Sequence, residues 1–163
     1  MPKRLLIPAL VGLLFLASAA RADEVLPLSR GQTIYAPVYS EILHGNLSSS
    51  GKASRLPLSA MLSIRNTNPG AAITVTSVKY YDSAGKMLQE YMTAPKTLGP
   101  LETTEVFVEH RDMKGGTGAN FLVVWESAAP VNPPIVEVVH AYFFGNQSTA
   151  FISPGRAIDP SAK

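Results

Sequence analysis

The stretch that decides the fold is Leu-Ser-Ala-Met-Leu-Ser-Ile-Arg, residues 58–65. Alternate residues form two sets of positions, and one of these sets is apolar throughout. The apolar set is Leu58, Ala60, Leu62 and Ile64, and the other set is Ser59, Met61, Ser63 and Arg65. A period of two is typical of a β-strand that is buried on one face. We therefore predict a half-buried strand over residues 58–65.

Similar short runs, rich in β-branched and aromatic residues, recur along the chain with turn residues between them. They are residues 33–40, 73–82, 87–92, 103–110, 120–126, 135–144 and 149–153. No convincing helix pattern follows the N-terminal segment. The polar, Gly/Ser-rich residues 44–55 are predicted to form a mobile loop. Leu62, Ile64, Val123 and Trp125 occupy the strongest runs, and we expect them in the core.

Seven or eight short strands without helices predict an all-β fold. We expect a single antiparallel β-sandwich of the immunoglobulin-like or fibronectin-like kind, because each sheet must bury one face against another. The domain would span residues 23–163, with its core at about 32–153 and a short irregular C-terminal tail. A small closed barrel is the alternative.

Three local patterns predict backbone irregularities. The alternation changes phase between Val75 and Val78, which indicates a bulge. Gly85 follows Asp82 in a short hairpin connection and can take a positive φ. Three glycines in residues 115–118 resemble a phosphate-binding loop, but a strand pattern follows them where such loops need a helix. We predict a tight turn there.

The N-terminus predicts export. Residues 1–22 combine two basic residues, a 12-residue apolar run and small residues ending in Ala20-Arg21-Ala22. A membrane-spanning helix needs roughly 20 apolar residues, so we expect a signal peptide that is cleaved before Asp23. The mature protein would be periplasmic or secreted, with no membrane span.

Charge and cysteine content exclude several functions. The chain has 14 basic and 12 acidic residues, and three of the basic ones lie in the signal peptide. The mature chain is therefore close to neutral and has no basic cluster, which argues against nucleic acid as a partner. There are no cysteines, so disulfides, thiol catalysis and haem attachment through cysteine are excluded. We expect no cofactor.

Several sequence blocks between Gln32 and Ile158 resemble a family of exported bacterial proteins known only as a domain of unknown function. The blocks that carry the resemblance are residues 34–40 with His44-Gly45, residues 62–67, residues 80–86, residues 115–121, residues 134–137 and residues 153–156. The resemblance implies a one-domain exported β protein. It implies no activity, cofactor or catalytic residue.

Two loop segments mix charged or aromatic groups with flexible backbone, and binding residues are often carried on such loops. The first segment, residues 39–47, contains Tyr39 and His44. The second, residues 110–120, contains Arg111, Asp112 and Asn120. We predict that these residues, together with Glu126 and Glu137, contact a partner, which we expect to be another envelope protein or a surface ligand.

Two alternatives remain open beside a non-catalytic binding or assembly module. Glu126 and Glu137 lie on consecutive predicted strands, and a pair of adjacent carboxylates would suit a small hydrolase. They would otherwise be rim carboxylates paired with arginine or water. His110 and Met113 lie close together, and imidazole with thioether ligands suits a periplasmic copper carrier.

Overall fold

The computed structural model describes residues 26–161, so the predicted signal peptide, residues 1–22, lies outside the described residues. The described chain forms twelve strands and one 3-10 helix. All strand pairs are antiparallel, which confirms the predicted all-β fold with antiparallel sheets. Across these residues, no helix has the length and apolar character needed to cross a membrane.

The strands are, in chain order, β1 (Ser29–Val38), β2 (Glu41–His44), β3 (Ser54–Pro57), β4 (Ser59–Arg65), β5 (Ile73–Tyr81), β6 (Met87–Glu90), β7 (Lys96–Leu98), β8 (Thr103–Val108), β9 (Ala119–Val131), β10 (Ile135–Phe144), β11 (Gln147–Pro154) and β12 (Arg156–Ile158). The 3-10 helix, Met113–Gly118, precedes β9.

Two large sheets and one small sheet result. The first has the order β12-β1-β9-β5-β6, with β7 also paired to β5, and the second has the order β11-β10-β4-β8. The strands β2 and β3 form a separate hairpin. Neither large sheet closes on itself, so the closed-barrel alternative is wrong. Buried side chains from both large sheets form one core, which contains the predicted Leu62, Ile64, Val123 and Trp125.

The chain has more strands than the seven or eight predicted. The extra ones are β2, β3, β7 and β12, each of three or four residues. The segment predicted as a mobile loop, residues 44–55, is mainly the connection between β2 and β3 and overlaps only the ends of these strands. Arg55 on β3 joins β2 by an ion pair of 2.7 Å to the buried carboxylate of Glu41. These strands are too short to show an alternation. The predicted irregularities are confirmed: the register shifts between Val75 and Ser77, and Gly85 has φ +77°.

A buried asparagine network, which we call the asparagine clasp (Asn66 and Asn68), joins three loops at one end of the molecule. The Asn66 amide Nδ2 lies 2.8 Å from the carbonyl oxygens of Ala71 and Gly99 and 3.2 Å from that of Leu98. Its Oδ1 accepts from the backbone N–H and the amide of Asn68. Asn68 in turn exchanges two hydrogen bonds of 3.0 Å with the Asn132 backbone.

At the glycine loop, the predicted tight turn is confirmed. Gly116 has φ +74°, and the Ser83 hydroxyl donates to the Gly115 carbonyl and accepts from the Gly118 N–H, both at 2.8 Å. A Cβ on Gly115 would overlap the Tyr80 hydroxyl. The loop is therefore packed tightly against the neighbouring strands.

Candidate binding surface

The outer face of the four-stranded sheet carries an exposed line of apolar side chains. Val139 lies opposite Ile152 on one side and Met61 on the other, and Met61 lies opposite Phe107. Directly paired residues share one face of a sheet, so these four residues, which we call the apolar row, cross all four strands. Phe107 and Ile152 are 59% and 58% exposed. Exposed apolar side chains that adjoin one another mark interaction sites on soluble proteins.

A charged flank borders the apolar row. Two residues further along the strands, Glu137 lies opposite Ser63, and Ser63 lies opposite Glu105. Arg65 forms an ion pair of 3.1 Å with Glu137 and donates from Nε to the Ser63 hydroxyl. The ion pair with Arg65 corresponds to the other interpretation of Glu137, a rim carboxylate paired with an arginine. An apolar centre with a polar border is the usual composition of a protein interface.

The β10–β11 hairpin ends in an aromatic tip, defined as Tyr142, Phe143 and Phe144, of which Phe143 shares the sheet face of Val139 by alternation. Phe143 and Phe144 are 73% and 69% exposed, and the rings of Tyr142 and Phe144 stack at 6.1 Å. Gly145, at φ +55°, makes the turn. Large aromatic side chains contribute much of the binding energy at protein interfaces when they are buried there.

Two histidines from the predicted loops lie on either side of this hairpin. His110 lines a hollow of about 230 Å³ with Ser59 and Phe143. His44 lines another of about 390 Å³ with Tyr142 and Thr149. The structure thus brings His44 and His110, far apart in sequence, to the aromatic tip. Sequence patterns missed this convergence because it depends on the position of the hairpin.

The other predicted loop residues have separate positions. Arg111 is exposed and Asp112 is half-buried. The carboxylate of Asp112 accepts a hydrogen bond from the Lys114 N–H and so caps the start of the 3-10 helix. Asn120 lies within β9, opposite Pro37 and Tyr81. These three residues do not line the hollows beside the aromatic tip.

The carboxylate pair on which the hydrolase alternative depended is not formed. Glu126 lies on β9 in the first sheet and Glu137 on β10 in the second. The two strands are consecutive in sequence, but the connection between them crosses from one sheet to the other. The two side chains therefore have no shared register and cannot face each other across a hairpin.

Both side chains of the copper alternative, His110 and Met113, are exposed. His110 is exposed and Met113, 49% exposed, is not among the residues that line the His110 hollow. Within residues 26–161, no three His, Asp or Glu side chains are arranged to hold a metal ion.

A third histidine, His140, lies on β10 of the same hairpin, and its side chain is fully buried. Its Nε2 accepts from the Tyr39 N–H at 3.0 Å, and its ring stacks on Phe151 at 4.6 Å. Tyr39, predicted to contact a partner, packs edge-on against both rings and is 37% exposed. Burial lowers the pKa of His140 to about 4, against a smaller opposing effect of the Phe151 backbone. Sequence patterns do not predict the burial of His140, because an isolated histidine has the same local signal whether it is buried or exposed.

The depressed pKa of His140 predicts an acid-sensitive fold. The unfolded chain binds this proton near pH 6.5 and the folded chain only near pH 4. The contribution is therefore fully present above pH 6.5 and is lost as the pH falls towards 4, by about 2–3 kcal/mol. Denaturant unfolding at several pH values should show this loss for the wild type. His140→Gln should remove that part of the slope, while a slope equal to that of the wild type would contradict the assignment.

A comparison with known proteins identifies the family of this chain. The family model described as Protein of unknown function (DUF3124) matches residues 31–158. No curated protein matches the chain. A crystal structure of Thermotoga maritima 1070 is similar at 12% sequence identity, with a TM-score of 0.42, over 77% of this chain and 92% of that chain. Because the family model spans most of the sequence, the chain belongs to the family of proteins of unknown function DUF3124.

Proposed function

We propose that this protein is an exported, non-catalytic binding or assembly module of the bacterial cell envelope. The observation that carries the proposal is the apolar row, which extends across all four strands of one sheet, with Met61, Phe107 and Ile152 exposed and Val139 half-buried. The partner would be another envelope protein or a surface ligand. The signal-peptide pattern of residues 1–22 supports a periplasmic or secreted location.

The proposed fold is an immunoglobulin-like sandwich, in which the two large sheets pack face to face. The shared core of both sheets supports this arrangement. Such a scaffold holds one outer sheet face rigid, so little conformational entropy is lost when a partner binds there. The free energy of binding would come from burying Phe107 and Ile152, at about 25 cal/mol per Å² of apolar surface.

The test uses a photoreactive amino acid placed at Phe107 in the source cell. A single cross-linked partner is expected, and mass spectrometry identifies it. The matched control position is Met87, which is apolar, 50% exposed and on β6 of the other sheet. We expect no cross-link to that partner from position 87.

A separate measurement tests the predicted cleavage site. The intact mass of the exported protein in the same material should correspond to a chain that begins at Asp23.

With the partner purified, Phe107→Ser should weaken its binding by about 30-fold, as expected for a central aromatic contact worth about 2 kcal/mol. Met87→Ser should leave binding unchanged. Both variants should fold within about 1 kcal/mol of the wild type, because both sites are exposed. Unchanged binding by the double variant Phe107→Ser/Phe143→Ser, with folding intact, would refute the proposed surface.

A further inference from the structure

The two edges of the four-stranded sheet differ in charge. One edge strand, β8, carries Glu105 and is flanked by Glu102 and Glu109. The other edge strand, β11, is Gln-Ser-Thr-Ala-Phe-Ile-Ser-Pro and has no charged residue. Charged residues on an edge strand hinder the addition of another strand. The edge of β8 is therefore protected against a second copy of itself, and the edge of β11 is not.

The backbone of β11 is available for pairing. In the part of the chain that the structure describes, β10 is the only strand that pairs with β11. Ser148, Ala150 and Ile152 along it are exposed. The single proline, Pro154, lies at its last position, so it removes no N–H from the middle of the strand.

We propose that two copies of this protein pair edge to edge through β11, antiparallel and about a two-fold axis. The two four-stranded sheets would then form one continuous sheet. A neutral strand suits such a contact because a two-fold axis places each residue near the same stretch of its partner, where like charges would repel. Ile152 ends the apolar row at this edge, so the rows of the two copies would adjoin. The contact uses the β11 backbone and does not depend on the proposed partner.

The first experiment is sedimentation of the purified exported protein at roughly 10–100 µM, where a dimer is expected. Ala150→Glu should raise the dimer dissociation constant at least about tenfold, because it places two carboxylates close together across the axis. The matched control is Thr103→Glu on the β8 edge, which should leave the dimer intact. A wild-type monomer over the whole range, or a dimer that Ala150→Glu does not weaken, would overturn the proposal.

The second experiment exploits the absence of cysteines. Ala150→Cys supplies the only thiol of the chain, and mild oxidation should link two copies through it. Thr103→Cys should give no covalent dimer under the same conditions. Equal cross-linking of the two variants would count against pairing through β11, even if Ala150→Glu failed to fold. Phe107→Ser should keep the dimer, which separates failure of this contact from failure of the proposed binding surface.

Discussion

Replacing Asn66 with alanine should lower the free energy of unfolding by about 3–5 kcal/mol. The variant leaves the Ala71 and Gly99 carbonyl groups without their Nδ2 donor and removes the acceptor of the Asn68 side chain and backbone. Asn66 is only 2% exposed, so water cannot replace the lost partners without opening the loops. Denaturant unfolding measures the loss.

Thr67→Ala is the matched control, because Thr67 is the next residue and makes one hydrogen bond of 3.2 Å to the Pro133 carbonyl. Its cost should be about 1 kcal/mol. Asn66→Asp keeps an acceptor for Asn68 but loses the Nδ2 donor, so it should also be strongly destabilising. Equal costs for Asn66→Ala and Thr67→Ala would show that the asparagine clasp does not act as a unit.

Trp125→Ala should cost about 3–5 kcal/mol. Trp125 is 1% exposed and lies in the central strand β9, between β1 and β5. Removing the indole leaves a cavity that a strand paired on both sides cannot close. A typical domain has only about 5–15 kcal/mol of stability, so the variant should unfold at a much lower denaturant concentration.

Two further variants check the origin of that loss. The indole Nε1 of Trp125 is buried without a hydrogen-bond partner among the described residues, so Trp125→Phe forfeits no hydrogen bond and should cost less than Trp125→Ala. Met87→Ala, at an exposed site, should lie within about 0.5 kcal/mol of the wild type. A loss below about 1 kcal/mol for Trp125→Ala would contradict its place in the core.

Alternation located each long strand, but not always its ends: β9 continues to Val131, beyond the predicted end at Glu126. The bounds of β10 agree with the predicted residues 135–144, and β4 begins one residue after the predicted start at Leu58. The strands β2, β3, β7 and β12 were missed because three or four residues are too few to establish a period, and β6, equally short, was predicted only as part of the longer run 87–92. The sequence left open whether β9 and β10, which are consecutive, pair with each other, and the structure places them in different sheets. Local patterns report which face of a strand is apolar, but they do not report which strand lies beside it.

The candidate surface was likewise predicted only in part from local patterns. The outward direction of Met61 followed from alternation, and Met61 is exposed, as is Phe107. Their alignment with Val139 and Ile152 depends on the register between strands far apart in sequence. Asn66 was predicted only as a turn residue, since an asparagine in a turn has the same local signal whether it is exposed or buried. Registers and burial belong to the tertiary structure.

The pairing of β1 has a consequence for the order in which the chain folds. Its partners are β9 and β12, so Ile34 pairs with Val123 and Ala157. The first strand to be synthesised must therefore wait for nearly the whole chain before it finds its neighbours, and pairing between such distant segments is slow. For the proposed export this delay is an advantage. In the proposed export, β1 would lack both of its neighbours until β9 and β12 had also crossed the membrane, so the first sheet would be completed only on the far side.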